Sequence, residues 1–270
     1  MKKLTNKVIA ITGAGSGIGR ELAIQLAQKN AILALNDFNS ESLAETVELL
    51  NLPKNQVSQH VFDVGVQEDV KTYIEDIIDI HGHIDGIINN AGTTLGKIKV
   101  IDLEYDEMEW LLKINLWGVI YGTKEALPHL IGRPEAFVVN ISSIFGIMGV
   151  PTQSAYCVSK FAVRGFTESL RMEVGKYPNL QIIQVHPGGI DTNIITNSKI
   201  RTQSARNKLK NQFKKGAITS ASDAARTIIN GIEKRKNRIL IGRDAKWIDF
   251  LVRVFPSTYW KYLAKPPKKK

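Results

Sequence analysis

The chain has 270 residues, of which 43% are hydrophobic and 23% charged, a composition that excludes collagen-like, low-complexity and disulfide-dense architectures. The lone cysteine, Cys157, leaves no internal disulfide framework, and no run of about 18 apolar residues marks a spanning helix. The net charge of +10 is unevenly spread: residues 199–270 carry 20 Lys and Arg against 4 Asp and Glu, residues 1–198 carry 16 against 22. A basic last quarter on a mildly acidic body points to a negatively charged partner for that quarter. No apolar leader with a cleavage site precedes the first apolar run, so the expected location is cytoplasmic.

Residues 8–11 form a short apolar run of the kind buried in a parallel sheet. It opens into Thr12-Gly13-Ala14-Gly15-Ser16-Gly17-Ile18-Gly19, followed by a helical pattern over residues 21–29. Strand, glycine-rich turn and helix are the setting in which backbone N–H groups approach a pyrophosphate at a helix N-terminus. A second run, 31–36, ends at Asp37, about 20 residues past the glycines and placed to bond adenosine ribose hydroxyls. Its carboxylate would repel a 2′-phosphate, and neither Ser16 nor Phe38 supplies a cation, so NAD is expected rather than NADP. Asp37 also stands where it could cap the helix expected over 40–50. A third strand, 57–62, ends at Asp63-Val64, placed to approach the adenine.

An amphipathic helix is expected over 66–80 and a fourth strand over 84–88, ending in Asn89-Asn90-Ala91-Gly92. Residues 103–127 read as one long helix with Asn115 inside it. The fifth strand, 137–141, leads into Ser142-Ser143, and a helix over 154–176 carries Tyr156 and Lys160. The sixth strand, 180–185, ends in His186-Pro187-Gly188-Gly189, and 238–241 is the seventh. Strands alternating with helices, in short continuous apolar runs, predict a single Rossmann-like, doubly wound α/β domain with about seven parallel strands, helices on both faces, and bounds near residues 1–242.

Tyr156 and Lys160 are four apart and share a helical face. An ammonium beside a phenol favours the phenolate. Such spacing alone also fits a surface Tyr–Lys contact. Cys157 and His186 read as packing residues, and His60, His81, His83 and His129 lack metal-ligand spacing, so no metal is expected.

In order and spacing, Thr12 to Gly19, Asn89 to Gly92, Asn115, Ser143, Tyr156-x-x-x-Lys160 and Pro187-Gly188 with Thr192 resemble the short-chain dehydrogenase/reductase family, including the thirteen residues from Ser143 to Tyr156. The resemblance implies an NAD(P)-dependent oxidoreductase interconverting a secondary alcohol and a ketone, with Asn115, Ser143, Tyr156 and Lys160 as its catalytic set. Tyr156 would be the acid/base. Lys160 would lower the Tyr156 pKa and hold the nicotinamide ribose. Ser143 would polarise the substrate oxygen, and Asn115 would hold a water. The implied cofactor contacts are Gly13, Ser16, Gly17, Ile18 and Gly19 at the turn, and Asp37, Asp63 and Val64 at the adenosine. Asn90, Ala91, Gly92, Tyr156, Lys160, Pro187, Gly188, Ile190 and Thr192 complete them. A homo-oligomer is the implied assembly. A catalytically silent nucleotide-binding or redox-sensing scaffold is the alternative.

Residues 190–216 correspond to the family's lid and carry Arg206, Lys208, Lys210, Lys214 and Lys215, either a solvated helix face or an attractor for an anionic group. Residues 243–270 extend beyond the pattern. There Trp247, Phe250, Leu251 and Val254 fall at helical spacing, with Ile248, Val252 and Phe255 widening the apolar face, then Tyr259, Trp260, Tyr262 and a tail of lysines. This pattern fits a helix lying on an anionic membrane surface, which would make the protein peripheral on its inner face. It equally fits a helix packed on its own domain or on another subunit. No groove-reading motif for nucleic acid is present.

Overall fold

The computed structural model describes residues 3–191, 194, 198–204, 206–207, 209 and 219–263. Seven strands form one parallel sheet: β1 (Val8–Thr12), β2 (Ile32–Asp37), β3 (Val57–Val61), β4 (Gly86–Asn89), β5 (Ala136–Ile141), β6 (Leu180–Pro187) and, after a two-stranded side pair of β7 (Ile190–Asp191) with β8 (Thr219–Ser220), β9 (Arg238–Ile241). Their order is β3-β2-β1-β4-β5-β6-β9. The chain therefore winds outward from β1 in one direction, then resumes from β4 in the other. The crevice where this order reverses, at the carboxyl ends of β1 and β4, is where such folds bind ligands.

Strand side chains alternate between two buried layers. Ile9, Ile11, Leu33 and Leu35 join Leu22, Leu26, Leu43 and Ile228 on one face, under α1 (Gly17–Ala27), α2 (Ser40–Leu50) and the late helix Ala221–Glu233. Val8, Ala10, Ile87 and Val138 join Tyr73, Ile77, Leu130 and Leu170 on the other, under α3 (Gln67–His81), α5 (Gly118–Ile131) and α6 (Ser154–Glu173). The expected doubly wound sheet is present, with three local differences.

The first helix starts at Gly17 rather than residue 21, so the last glycines of the turn lie in its first turn. The expected 103–127 helix is broken into α4 (Tyr105–Leu112), a π-helical stretch Lys113–Trp117, and α5. Apolar spacing cannot reveal a π turn, because the pattern on either side stays helical. Lastly, α2 is capped by Asn39, whose side chain accepts from Ser42 N, and not by Asp37.

Numbered in chain order, the late helices are α7 (Ala221–Glu233), α8 (Arg243–Val254) and α9 (Trp260–Leu263). The apolar residues of α8 divide between two sides. Ala245, Ile248 and Leu251 are buried, and the first two pack with Ile144 and Met148. Trp247, Phe250 and Val254 face out, 57%, 54% and 49% exposed, with the two aromatic rings stacked. The single broad apolar face expected from spacing is thus two faces. Asp249 ties the helix down. It takes both Arg238 guanidinium nitrogens at 2.9 and 2.6 Å and Arg253 Nε at 3.1 Å. Tyr259 adds a tie, its hydroxyl accepting from Gly149 N at 2.9 Å. The lysine tail lies outside the described residues.

At the opposite end of the sheet from the crevice, the buried Asp85 carboxylate accepts from Arg133 Nε at 2.9 Å and Val8 N at 3.1 Å, with Lys7 and His83 beside it. Removing one partner of a buried charge network strands the others. Asp85→Ala should lower the unfolding free energy by about 3 kcal/mol in urea denaturation, while leaving ligand affinity at the distant crevice unchanged.

Candidate active site at the carboxyl end of the sheet

A cleft of about 510 Å³ opens above β1, β4, β5 and β6. Its floor begins with the glycine turn. Gly13 has φ +67° and lies so close to Ala91 that a Cβ there would come within 2.8 Å of Ala91 Cα. A Cβ on Gly19 would overlap the Gly13 carbonyl oxygen. Thr12 and Asn90 lock this turn to the one after β4. The Thr12 hydroxyl accepts from Asn90 N and Ala91 N, both at 3.1 Å, and Asn90 Nδ2 donates to the carbonyls of Thr12 and Gly13 at 2.9 and 3.1 Å. Ser16 provides no side-chain cap to α1, and no acid sits in its first turn. Its leading N–H groups and the helix dipole are therefore directed at an anion.

Asp37 is buried, with Oδ2 accepting from Gly15 N at 2.9 Å and Oδ1 from Asn39 N at 3.0 Å. Two backbone bonds fix the carboxylate at the cleft wall and leave lone pairs for hydroxyl donors. Asp63 is exposed, accepts from Gly65 N at 2.9 Å, and lines the cleft with the buried Val64. Lys160 is the one cation lining the cleft among the described residues.

At the other end, β5 runs into two serines that differ in role. Ser142 is buried and its hydroxyl donates to the Lys160 carbonyl at 2.8 Å, which ties strand to helix. Ser143 Oγ accepts from Phe145 N at 3.1 Å and sits close enough to the Tyr156 phenol to draw its pKa down. Lys160 is buried, and its Nζ donates to the Ile141 carbonyl at 3.1 Å. Asn115 sits in the π-helical stretch, the kind of insertion that re-aims a side chain. Its Oδ1 accepts from Thr93 N at 2.8 Å, and its Nδ2 donates to the Thr93 carbonyl at 2.9 Å and to Ser159 Oγ at 3.2 Å. A Cβ on Gly92 would stand 3.4 Å from both Asn115 Oδ1 and Lys160 Nζ, so these groups converge on one point.

Two pKa shifts oppose each other. Burial pushes the Tyr156 phenol up to about 12, against a downward pull from the Ser143 hydrogen bond. Burial pulls Lys160 down to about 8. Lys160 Nζ lies 5.7 Å from the Tyr156 ring centroid. Desolvation is the largest influence on the Tyr156 phenol, and the Lys160 ammonium, itself desolvated, is held toward Ile141.

Pro187, Gly188 and Ile190 line the same cleft. Thr192, Lys208, Lys210, Lys214 and Lys215 lie outside the described residues. Arg206 donates to the Ser198 carbonyl at 3.0 Å. Arg201, unremarked in the sequence, donates from Nε to Glu107 at 2.9 Å and stands near Lys199, which lies 4.4 Å over the Trp110 ring. Beyond Tyr156 the walls are Trp110, Ile114, Ile144, Phe145, Ile194 and Leu209, with Thr94 and Gln153 as polar groups. His186 is fully buried, donating from Nδ1 to the Ser143 carbonyl at 3.0 Å, and burial lowers it to about 4, so it stays neutral. Cys157 packs as a buried thiol against the Met148 carbonyl. No sequence signal singled out Trp110 or Asp244, which also line the cleft. Asp244 carried no signal because it stands past the last motif, in the extension. Among the described residues, no cluster of three His, Cys, Asp or Glu could hold a metal, and no helix is long and apolar enough to cross a membrane.

The family model for short chain dehydrogenase matches residues 7–203. The chain belongs to the short-chain dehydrogenase family. It is 40% identical over 267 residues to a putative oxidoreductase, SadH, of Mycobacterium tuberculosis, covering 98% of this chain and 96% of that protein. It is 34% identical over 198 residues to levodione reductase of Leifsonia aquatica, covering 73% and 74%. Among solved structures, a family member from Burkholderia phymatum in complex with NAD superposes with a TM-score of 0.86 over 100% of this chain and 99% of that one. At 24% identity that likeness shows the shared fold. The SadH match runs through the extension that the family model omits.

A methyl at Gly19 would displace the turn carbonyl it meets. Gly19→Ala should leave the protein folded, and weaken dinucleotide binding at least about ten-fold in calorimetric titration.

Proposed function

We propose that this family member is an NAD-dependent oxidoreductase interconverting a secondary alcohol and a ketone on an apolar substrate. The observation that carries the proposal is the convergence of Ser143, Tyr156, Lys160 and Asn115 at the closed end of a cleft whose other end is built for a dinucleotide. The fit of NAD rests on three features: the uncapped N-terminus of α1, the Gly13 and Gly19 positions that admit no Cβ, and the Asp37 carboxylate. With Asp37 at the ribose position and no cation among the described residues lining that end of the cleft, a 2′-phosphate would meet the Asp37 carboxylate without a side-chain counter-charge. When bound, NAD supplies the acceptor or donor of hydride.

The chain's own residues do the rest. Ser143 donates to the substrate oxygen and holds it beside Tyr156. Tyr156 takes the alcohol proton during oxidation and returns it to the carbonyl oxygen during reduction. Lys160 holds the nicotinamide ribose. With Lys160 at about 8 and Tyr156 at about 12, the resting pair at neutral pH is ammonium and phenol. The phenol form suits reduction directly. Oxidation requires the phenolate, which a charged Lys160 would favour. Asn115, bonded to Thr93 and Ser159, keeps the π turn in register behind Lys160, and the free lone pair of its Oδ1 would hold a water. Trp110, Ile114, Ile144 and Phe145 give the substrate pocket its apolar walls. A homo-oligomer completes the reading. The scaffold alternative gains nothing from the site, where no member of the catalytic set is replaced.

The extension adds a second element. Trp247, Phe250 and Val254 form an outward stripe on α8, followed by exposed Trp260 and Tyr262 and by the lysines of the tail. Both acids of residues 243–263, Asp244 and Asp249, are turned inward onto hydrogen bonds. The outward surface is thus aromatic and basic, which favours an anionic bilayer surface. A second copy would bring like charges together.

Tyr156→Phe should cut turnover by at least about a thousand-fold while NAD affinity, read by calorimetry, is retained; persistent turnover would refute the assignment. Because phenolate is the base and phenol the acid, kcat for oxidation should rise with pH and kcat for reduction should fall, both measured from pH 6 to about 10. NADP binding tighter than NAD would overturn the role of Asp37. In sedimentation with vesicles containing anionic lipid, the wild type should pellet and the Trp247→Ala, Phe250→Ala double variant should not; equal partitioning would remove the membrane reading.

A further inference from the structure

We infer that Asp244, from the first turn of α8, is part of the nicotinamide end of the cofactor site. It sets the Pro187–Gly188–Gly189 turn and gives that end of the cleft a negative charge that favours the oxidised cofactor. The inference rests on the dinucleotide reading above, but not on the choice of NAD over NADP, since the nicotinamide is common to both.

Four observations converge on this carboxylate. Its Oδ2 accepts from Gly189 N at 2.7 Å, a charge-assisted bond across 55 positions of sequence. Its Oδ1 is buried from solvent and meets no hydrogen-bond partner. A side chain on Gly188 or on Gly242 would strike the carboxylate, so both neighbouring turns leave room for it. Asp244 also lines the same cleft as Ser143, Tyr156, Lys160 and Gly188. Gly188 N donates to the Ile241 carbonyl of the sheet's last strand at 2.9 Å, so the turn is pinned to β9 on one side and to Asp244 on the other.

A carboxylate oxygen shut off from water is costly unless a cation or a donor meets it. Lys160, the one cation lining the cleft among the described residues, is directed to Ile141 instead. The oxidised nicotinamide ring is the positive group that this end of the cleft would receive, and the reduced ring is neutral. A fixed negative charge in a partly buried site therefore discriminates between the two states, whereas a neutral prop would not.

The test is the pair of dissociation constants for oxidised and reduced cofactor, measured by calorimetry on the full chain and on Asp244→Asn and Asp244→Ala. Asp244→Asn keeps an acceptor for Gly189 N and removes the charge. It should weaken the oxidised cofactor about ten-fold and change the reduced one less than about two-fold. Asp244→Ala, which also frees the turn, should weaken both forms, the oxidised one more. Equal changes for both forms in Asp244→Asn, or no change in either, would overturn the inference while leaving the dinucleotide reading intact. Thermal unfolding of each variant separates lost folding from lost affinity. A wild-type chain that binds neither NAD nor NADP in either redox state would refute both readings. A chain that prefers NADP is tested by the same ratio on that pair.

Discussion

The site depends on a buried ammonium. Lys160 lies under the end of β5, its Nζ held by the Ile141 carbonyl and its own carbonyl held by Ser142. A charge in that position is expensive, and the fold meets the cost with one backbone acceptor and with polar groups gathered around it rather than with a counter-ion. Asn115 and Lys160 both approach Gly92. The π turn gives Asn115 the angle from which it can bond Thr93 twice and Ser159 once. Tyr156, one helical turn before Lys160, is thereby fixed beside Ser143.

The rest of the crevice is held by a second set of backbone ties. Thr12 and Asn90 join the glycine turn to the turn after β4, so the two halves of the doubly wound sheet meet through side chains bonded to main chain. Asp37 does the same on the outer side through Gly15 and Asn39. A buried network of Asn89, Asn140, Thr123 and Thr167 supports the strands directly below. Such bonds make the cleft rigid before any ligand enters, which is the condition for electrostatic preorganisation.

The extension is integrated with this machinery. Ile248 and Ala245 pack against Ile144 and Met148, the residues that follow Ser143, and Tyr259 bonds Gly149. His186 adds a neutral, buried donor to the Ser143 carbonyl from β6. The segment bearing the serine is therefore held from the strand side by His186 and from the outer side by α8, and the cleft is lined partly by residues that the family model does not span, Leu209 and Asp244.

The sequence by itself determined the alternating α/β order, the glycine turn after β1, the acid at the end of β2, and the Ser143, Tyr156 and Lys160 spacing. These are local features, readable because strand and helix periods and turn chemistry leave their mark within a few residues. Only the tertiary structure decided where the single helix around Asn115 gives way to a π turn, and which way each apolar residue of α8 points. It also decided that Tyr156 is desolvated, because burial is a property of the packed chain and not of the Tyr-x-x-x-Lys spacing. Asp244 shows the same limit: its role arises from a contact with Gly189 far away along the chain, and no local pattern encodes such a contact.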